Sequence, residues 1–340
     1  MLYFRNDYSE GAHPRILEAL TATNLVKTAG YGQDPFCEKA AAAIRTLCAA
    51  PEAEVHFLVG GTQTNKTAIG AFLRPYEAVI AADSGHICTH ETGAIEHDGH
   101  KIISLPSPDG KLTPAMVERA AAAHTTEHMV APRLVYLSNT TELGTVYTKK
   151  ELYALHQCCS RHSLLLYCDG ARLGAAMTAE GGDTSFPDYA SCCDAFTIGG
   201  TKNGLLFGEA LVLVHPGLRE GFRFSMKQQG AMLAKGRLLG VQFQALLEDG
   251  LYLALARHAN DMAALLRKGL LALGFSLAVP STSNMLFPLL STRQAEALSA
   301  QCAFEIQDTI DQDHVCIRLV TSWATTPQEV QELLQVFSTL

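Results

Sequence analysis

The chain has 340 residues, 48% of them hydrophobic, and a formal net charge of -8, enough apolar material for one large or two medium domains. A mildly acidic composition without basic blocks argues against nucleic acid or an anionic membrane as the main partner. Segment 1–7 has no apolar signal region, and no run reaches the roughly 20 apolar residues of a membrane helix. The ten cysteines include no Cys-x-x-Cys, which predicts free thiols in a cytoplasmic protein rather than a disulfide or zinc framework.

Residues 5–11 are polar, and His13-Pro14 opens a short helix through Leu20. Tyr31-Gly-Gln-Asp-Pro35 reads as a turn into a second helix, with Asp34 as N-cap and Pro35 in the first helical position. Segment 55–59 is the first strand of a βα unit, and Gly60-Gly61-Thr62 turns it into a helix over 63–73. A strand at 78–82 and a His-rich stretch from Ser84 to His100 follow. Thr113-Pro114 caps a helix to Ala123, and 134–137 is another strand. Thr148-Lys-Lys-Glu151 forms a capping box for a helix to Arg161. Segment 164–168 is an apolar strand ending at Asp169.

Continuous apolar strands alternating with helices predict an α/β fold with a mostly parallel sheet covered on both faces. From 228 to about 273 the pattern is helical. Strand-like stretches at 275–279, 285–290 and 315–320 precede a last helix that starts at the capping box Thr326-Pro-Gln-Glu329. The expected organisation is a large domain over 1–244 and a smaller α+β domain over 245–340, joined by a long helix. Segment 1–12 is a candidate for packing at the substrate site.

Lys202 stands in Asp194-Ala-Phe-Thr-Ile-Gly-Gly-Thr-Lys-Asn203, a buried strand that ends in a glycine-rich turn before a second apolar strand. Such a turn would desolvate the ammonium, lower its pKa and make the amine a usable nucleophile toward a carbonyl. A solvated turn lysine is the plain alternative. Asp169 ends a buried strand where open α/β sheets place ligands. It suits either an N-cap or a partner for a protonated cofactor ring nitrogen. Arg172 offers a planar fork for a carboxylate, or a surface ion pair.

The turn at Gly60-Gly61-Thr62 presents a helix N-terminus suited to phosphate. Asn65 stands where a P-loop needs its second glycine, so Mg-nucleotide binding is rejected. His86 and His90 share i, i+4 spacing, but Ile87-Cys88-Thr89 between them lacks the glutamate of a zinc protease motif. No metal site is assigned, and His86 can stack on a flat ring. Arg318, inside an apolar strand, is costly to bury without an anion. It is either structurally paired or holds a substrate carboxylate.

Together these segments resemble the threonine aldolase / β-eliminating lyase family of fold-type I pyridoxal phosphate enzymes. The resemblance rests on Tyr31-Gly-Gln-Asp-Pro35, Gly60-Gly-Thr-Gln63, His86 with Glu91-Thr-Gly-Ala94, Asp169-Gly-Ala-Arg172, Thr201-Lys202 and Arg318-Leu-Val-Thr-Ser-Trp323. These run in family order across nearly the whole chain. The resemblance implies pyridoxal 5'-phosphate as cofactor and Lys202 as the amine that condenses with its aldehyde. Asp169 would pair with the ring nitrogen and His86 would stack on the ring. Gly61, Thr62 and Thr201 would complete the cofactor site, and Asn6, Tyr31, Arg172 and Arg318 would bind the amino-acid substrate.

The chain departs from the family where Thr141 takes the place of a usual histidine. That leaves the base for the substrate hydroxyl to Glu91 or a water. The implied activity is cleavage of a β-hydroxy-α-amino acid to glycine and an aldehyde. A β-elimination on the same cofactor and a non-catalytic binding module on the same fold are the alternatives. The resemblance also implies a homodimer or homotetramer with shared active sites, in which Gln228, Gln229, Lys235 and Arg237 are candidates to reach a neighbour's phosphate.

Overall fold

Strands without polar alternation persist only where both faces of their sheet are covered. The computed structural model, which describes residues 1–340, builds such a sheet. After a short β1 (Leu2–Tyr3) come β2 (Glu54–Leu58), β3 (Glu77–Ala82), β4 (Ile102–Leu105), β5 (Ala131–Ser138), β6 (Leu165–Asp169), β7 (Ala195–Gly199) and β8 (Glu209–Leu213). Seven of them form one sheet in the order β2-β8-β7-β6-β5-β3-β4. The pairs from β4 through β7 are parallel, and β8 is antiparallel to both of its neighbours.

Alternate residues of one strand feed two different cores. Leu166 and Cys168 of β6 join one buried cluster, whereas Leu165 and Tyr167 join another. β5 divides in the same way, with Val135 and Leu137 against Leu134 and Tyr136. Counting on by two, Asp169 projects on the Tyr167 side of the sheet, and Glu209 projects with Leu211 and Leu213. The helix Gly61–Phe72 covers that face with Ala68, Ile69 and Phe72.

β2 lies at one edge beside β8 alone, and β3 lies beyond β5. Several elements differ from the sequence expectation. β4 escapes notice because it is a four-residue edge strand with one buried residue, Ile103. The helical run expected from 228 begins only at Arg237, since a helix Phe222–Gln228 ends there and 229–236 is turn and coil, and it is then interrupted once more. Helices Arg237–Leu247 and Leu251–Ala272 are separated at Asp249 and Gly250, whose φ angles of 53° and 72° are left-handed, a conformation that stops a right-handed helix.

The second sheet uses β9 (Met285–Leu286), β10 (Leu289–Ser291), β12 (Glu305–Thr309) and β13 (His314–Val320), while β11 (Cys302–Ala303) pairs in parallel with β1. Segment 285–290 is two strands because Pro288 has no amide to give the ladder. Segment 275–279 contributes only a bridge from Leu277 to Pro288. A separate apolar cluster, including Phe4, Leu266, Ile317 and Leu333, lies against this sheet. No helix is long and apolar enough to cross a membrane, and all ten cysteines are free.

Candidate active site

Parallel strands deliver their carboxyl ends to one edge of the sheet, the place where such folds bind ligands. Here β2 leads to Gly60, β3 to His86, β5 to Glu142, β6 to Asp169 and β7 to Lys202. The amides of Gly200 and Thr201 both donate to the Gly208 carbonyl, at 3.0 and 3.1 Å, and close the Lys202 turn. The Thr201 hydroxyl accepts from the Gly208 amide at 3.0 Å. Thr201, expected to touch a cofactor, therefore has its hydroxyl engaged in shaping the lysine turn. Lys202 is half-buried, with Nζ 6.0 Å from the centre of the Tyr8 ring.

Asp169 is 6% exposed. Its Oδ2 accepts from Asn65 Nδ2 at 2.7 Å and from the Tyr136 hydroxyl at 2.8 Å, and its Oδ1 accepts from the Ala171 amide at 2.9 Å. Burial alone would raise its pKa. The nearby His86 charge and these donors outweigh burial and hold the carboxyl below its usual range. A carboxylate offers about four acceptor positions, so one on Oδ1 stays open. Gly170 next to it is required, because a side chain there would collide with the Thr197 carbonyl.

His86 Nδ1 lies 2.7 Å from Glu91 Oε1. An ionised carboxylate can only accept, which assigns the Nδ1 proton to the histidine. Burial pulls the His86 pKa down, but the bond to Glu91 and the charges of Glu142 and Asp169 carry it above the ordinary imidazole value. Glu91 Oε1 also accepts from Asn65 Nδ2 at 2.7 Å, and Asn65 Oδ1 accepts from the Tyr167 hydroxyl at 2.9 Å. The Glu91 side chain is completely enclosed. This corrects its expected place as a base facing substrate: it sits behind His86 and orients the ring.

Sequence reasoning used Asn65 only to reject a P-loop, yet Asn65 ties the two carboxylates together. The signal was present, since 65, 68, 69 and 72 form one helical stripe on which Asn65 is the polar member. At the start of the same helix, Gly60 is an N-cap without a side-chain bond. Positions beyond the Cα atoms of Gly60 and Gly61 are open space, and Thr62 is exposed at the helix tip. The first-turn amides of an α-helix have no intrahelical acceptor, so this tip presents donors to an anion.

Arg172 does not face the cleft with its whole fork. Its Nε and Nη2 bind Asp7 Oδ2 and Oδ1 at 2.7 and 3.0 Å, and Asn284 Nδ2 donates to Asp7 Oδ2 at 3.0 Å. Both Nη1 hydrogens and the second Nη2 hydrogen remain for a ligand. Arg318 is the opposite case: it forms no ion pair, and its buried Nε has no partner. Burial and the neighbouring Arg172 charge push its pKa down, the signature of a cation short of an anion.

Asn6 accepts from the Tyr8 amide at 3.0 Å and the Ser9 hydroxyl at 2.8 Å, which makes it a turn-former beside Asp7. Tyr31 is not brought to Lys202 within this chain. Its amide donates to the Ala234 carbonyl at 3.3 Å, its carbonyl accepts from Arg223, and its ring lies 4.6 Å from Lys227 Nζ. Glu209, missed because it opens an apolar strand, is 4% exposed with an unpartnered Oε2. Burial pushes its pKa up to about 8, against the opposing pull of Thr201 and Lys202.

Comparison with known proteins bears on the chain as a whole. The beta-eliminating lyase family model matches residues 4–292. The low specificity L-threonine aldolase of Pseudomonas aeruginosa is 33% identical over 333 residues, covering 97% of this chain and 95% of that protein. The structure of a Leishmania major threonine aldolase superimposes with a TM-score of 0.98 at 47% identity, over 100% of this chain and 99% of the other. A Thermus thermophilus aspartate aminotransferase shares only the fold, with a TM-score of 0.73 at 18% identity over 100% of this chain and 91% of its own. With a matched model over most of its length and relatives matched almost end to end, the chain belongs to the threonine aldolase / beta-eliminating lyase family.

Proposed function

We propose that this protein is a pyridoxal phosphate-dependent aldolase that cleaves a β-hydroxy-α-amino acid of the threonine or allo-threonine type into glycine and an aldehyde. The residues present fit the cofactor. Asp169 keeps an acceptor position open on Oδ1, the helix tip at Gly61 and Thr62 offers amides with open space before them, and the half-buried Lys202 amine lies on the same sheet edge. Bound there, pyridoxal phosphate supplies an electron-withdrawing ring that accepts charge from the substrate's α-carbon.

The chain's own groups do the rest. Asp169 would accept a hydrogen bond from the ring N–H, and its negative charge would keep that proton in place. His86, fixed by Glu91, presents an imidazole face. Gly61 and Thr62 would hold the phosphate, and the Lys202 amine would stand as the nucleophile for the cofactor's aldehyde. Arg318 takes the substrate carboxylate, with Arg172 Nη1 and Asn6 in support.

The observation that carries this reading is Asp169: a buried carboxylate, kept ionised by three donors, with room for one more. The purified protein is expected to absorb in the visible range, and borohydride followed by peptide mapping should place the reduced cofactor on Lys202. Threonine, allo-threonine or phenylserine should release glycine, and Lys202→Ala should abolish release. An unmodified Lys202 overturns the cofactor assignment. Pyruvate and ammonia from serine, without glycine from any β-hydroxy substrate, would replace aldol cleavage by β-elimination.

The same reading includes a homodimer or homotetramer in the cytoplasm. Tyr31, engaged away from its own lysine, is then available to a partner's site, and the exposed Phe224 and Leu25 at 84% and 90% supply apolar surface for contact. Gln228 and Lys235 are exposed and could reach a neighbour's phosphate. Gln229 instead holds Asp98, and Arg237 holds the carbonyls of Thr23 and Val26. Ten free thiols fit a reducing compartment.

A further inference from the structure

Aldol cleavage needs a proton acceptor beside the substrate's β-hydroxyl. Glu91 is enclosed behind His86. Thr141 is buried, with its hydroxyl 2.7 Å from the Thr145 hydroxyl and accepting from the Leu143 amide at 3.3 Å. The next residue, Glu142, differs from both. It is half-buried, and no hydrogen bond or ion pair within the chain engages its carboxylate. It borders a crevice with Ser84, Gly85, Tyr136 and Ser138, and Ser138 is in register with Asp169 across β5 and β6.

The surroundings of Glu142 come from several elements. His86 and His90 follow β3, Arg172 follows β6, and Arg318 lies in β13. The negative charge of Glu142 acts on all four of these side chains. The opposing acid of the region, Asp7, is closed off by its fork with Arg172. A carboxylate beside the Arg172 and Arg318 guanidiniums, without a hydrogen bond of its own, retains its lone pairs for a ligand atom.

We propose that Glu142 accepts the proton of the substrate's β-hydroxyl, an inference that rests on the aldolase reading above. The O–H proton passes to a Glu142 oxygen, and the O–H electron pair becomes the second bond of the aldehyde C=O as Cα–Cβ breaks. The pair left at Cα is later protonated to give glycine, and Glu142 returns its proton to solvent. Glu142 thereby supplies the proton acceptor that Thr141 cannot.

Two reactions of the holoenzyme separate this role from a structural one. Cleavage of threonine or phenylserine needs the β-hydroxyl proton removed. Exchange of the glycine α-hydrogen with deuterated water, followed by proton NMR, uses the same cofactor, lysine and arginines but no β-hydroxyl. Glu142→Gln is expected to lower kcat for cleavage at least about 100-fold while exchange stays within about threefold of wild type. Glu142→Asp, which keeps a carboxylate, should recover part of the loss, and it decides the matter should the glutamine variant fold poorly.

Near-normal cleavage by Glu142→Gln overturns the proposal, as does a proportional fall in cleavage and exchange. A selective loss of cleavage in His90→Asn with Glu142→Gln unimpaired assigns the proton to His90 and also overturns it. A wild-type protein that exchanges glycine but cleaves no β-hydroxy substrate removes the aldolase reading itself, a result distinct from the failure of Glu142 alone.

Discussion

Glu209 opens β8 on the face that Leu211 and Leu213 bury, and it lies opposite Gly199 in register, beside the lysine turn. Its pKa is pushed up to about 8 by burial. In the folded protein it keeps its proton across a range in which the unfolded chain has released it. The folded state therefore binds more protons there, and stability falls as pH rises from the ordinary carboxylate value toward the folded one, then levels off. Glu209→Gln removes that slope. Between about pH 5 and about pH 8 the variant should lose less stability than wild type, by on the order of a few kcal/mol. Denaturant titrations at both pH values measure it, and a pH-independent gap between the two proteins would show Glu209 ionised in the folded state.

At this scale, chemistry was legible where backbone signals flanked it. Lys202, Asp169 and His86 follow strand ends marked by glycines or small turns. Asn65 and Asp7 escape notice because each acquires its meaning from a partner far along the chain, Asn65 from Asp169 and Asp7 from Arg172, whereas Glu209 is hidden as the first residue of an apolar strand.

Elements whose ends carry local chemistry were read closely. The Thr148 box begins the helix Lys149–Arg161, and the Thr326 box begins Pro327–Phe337, each with both reciprocal bonds in place. Asp34 caps the helix at Pro35 by accepting from the amides of Phe36 and Cys37, both at 3.0 Å. Thr148→Ala removes one such cap and is expected to lower unfolding stability by about 1 kcal/mol, with activity unchanged, as chemical denaturation and a turnover assay would show. A loss of several kcal/mol would mean that the threonine does more than cap. The short elements were harder. β4, β9 and β11 hold two to four residues each and persist through neighbouring strands rather than through their own pattern. The break at Asp249-Gly250 was hidden inside an unbroken helical periodicity, although Gly250 marked the place.

For the molecule as a whole, the α/β class was legible because β5, β6 and β8 are apolar on both faces. The strand order was not, since pairing β2 with β8 joins segments about 150 residues apart and no local pattern encodes that. The Asp7–Arg172 fork is a contact of this long-range kind. Burial would raise the Asp7 pKa, but the charges of Arg172 and Lys202 hold it below the usual carboxylate range. Its stabilisation is thus present above the unfolded value and fades as pH falls through the folded one. Asp7→Asn leaves the Arg172 guanidinium buried without an anion and should cost roughly 3–5 kcal/mol at neutral pH. Urea unfolding at neutral and acidic pH tests it, and a gap that fails to narrow in acid would deny the pair its role.

The route of the first thirteen residues has a mechanical result. β1 is stitched to β11, the Phe4 carbonyl accepts from the Val320 amide at 2.8 Å, Asp7 holds Arg172, and the His13 amide donates to the Gly204 carbonyl at 2.9 Å within the lysine loop. The leading segment is a strap drawn from the far sheet to the turn that carries Lys202, fastened at each stage. A swing of the small sheet toward or away from its neighbour would pull on Arg172 and the lysine loop together, so under the proposed aldolase role the carboxylate grip and the amine would shift as one.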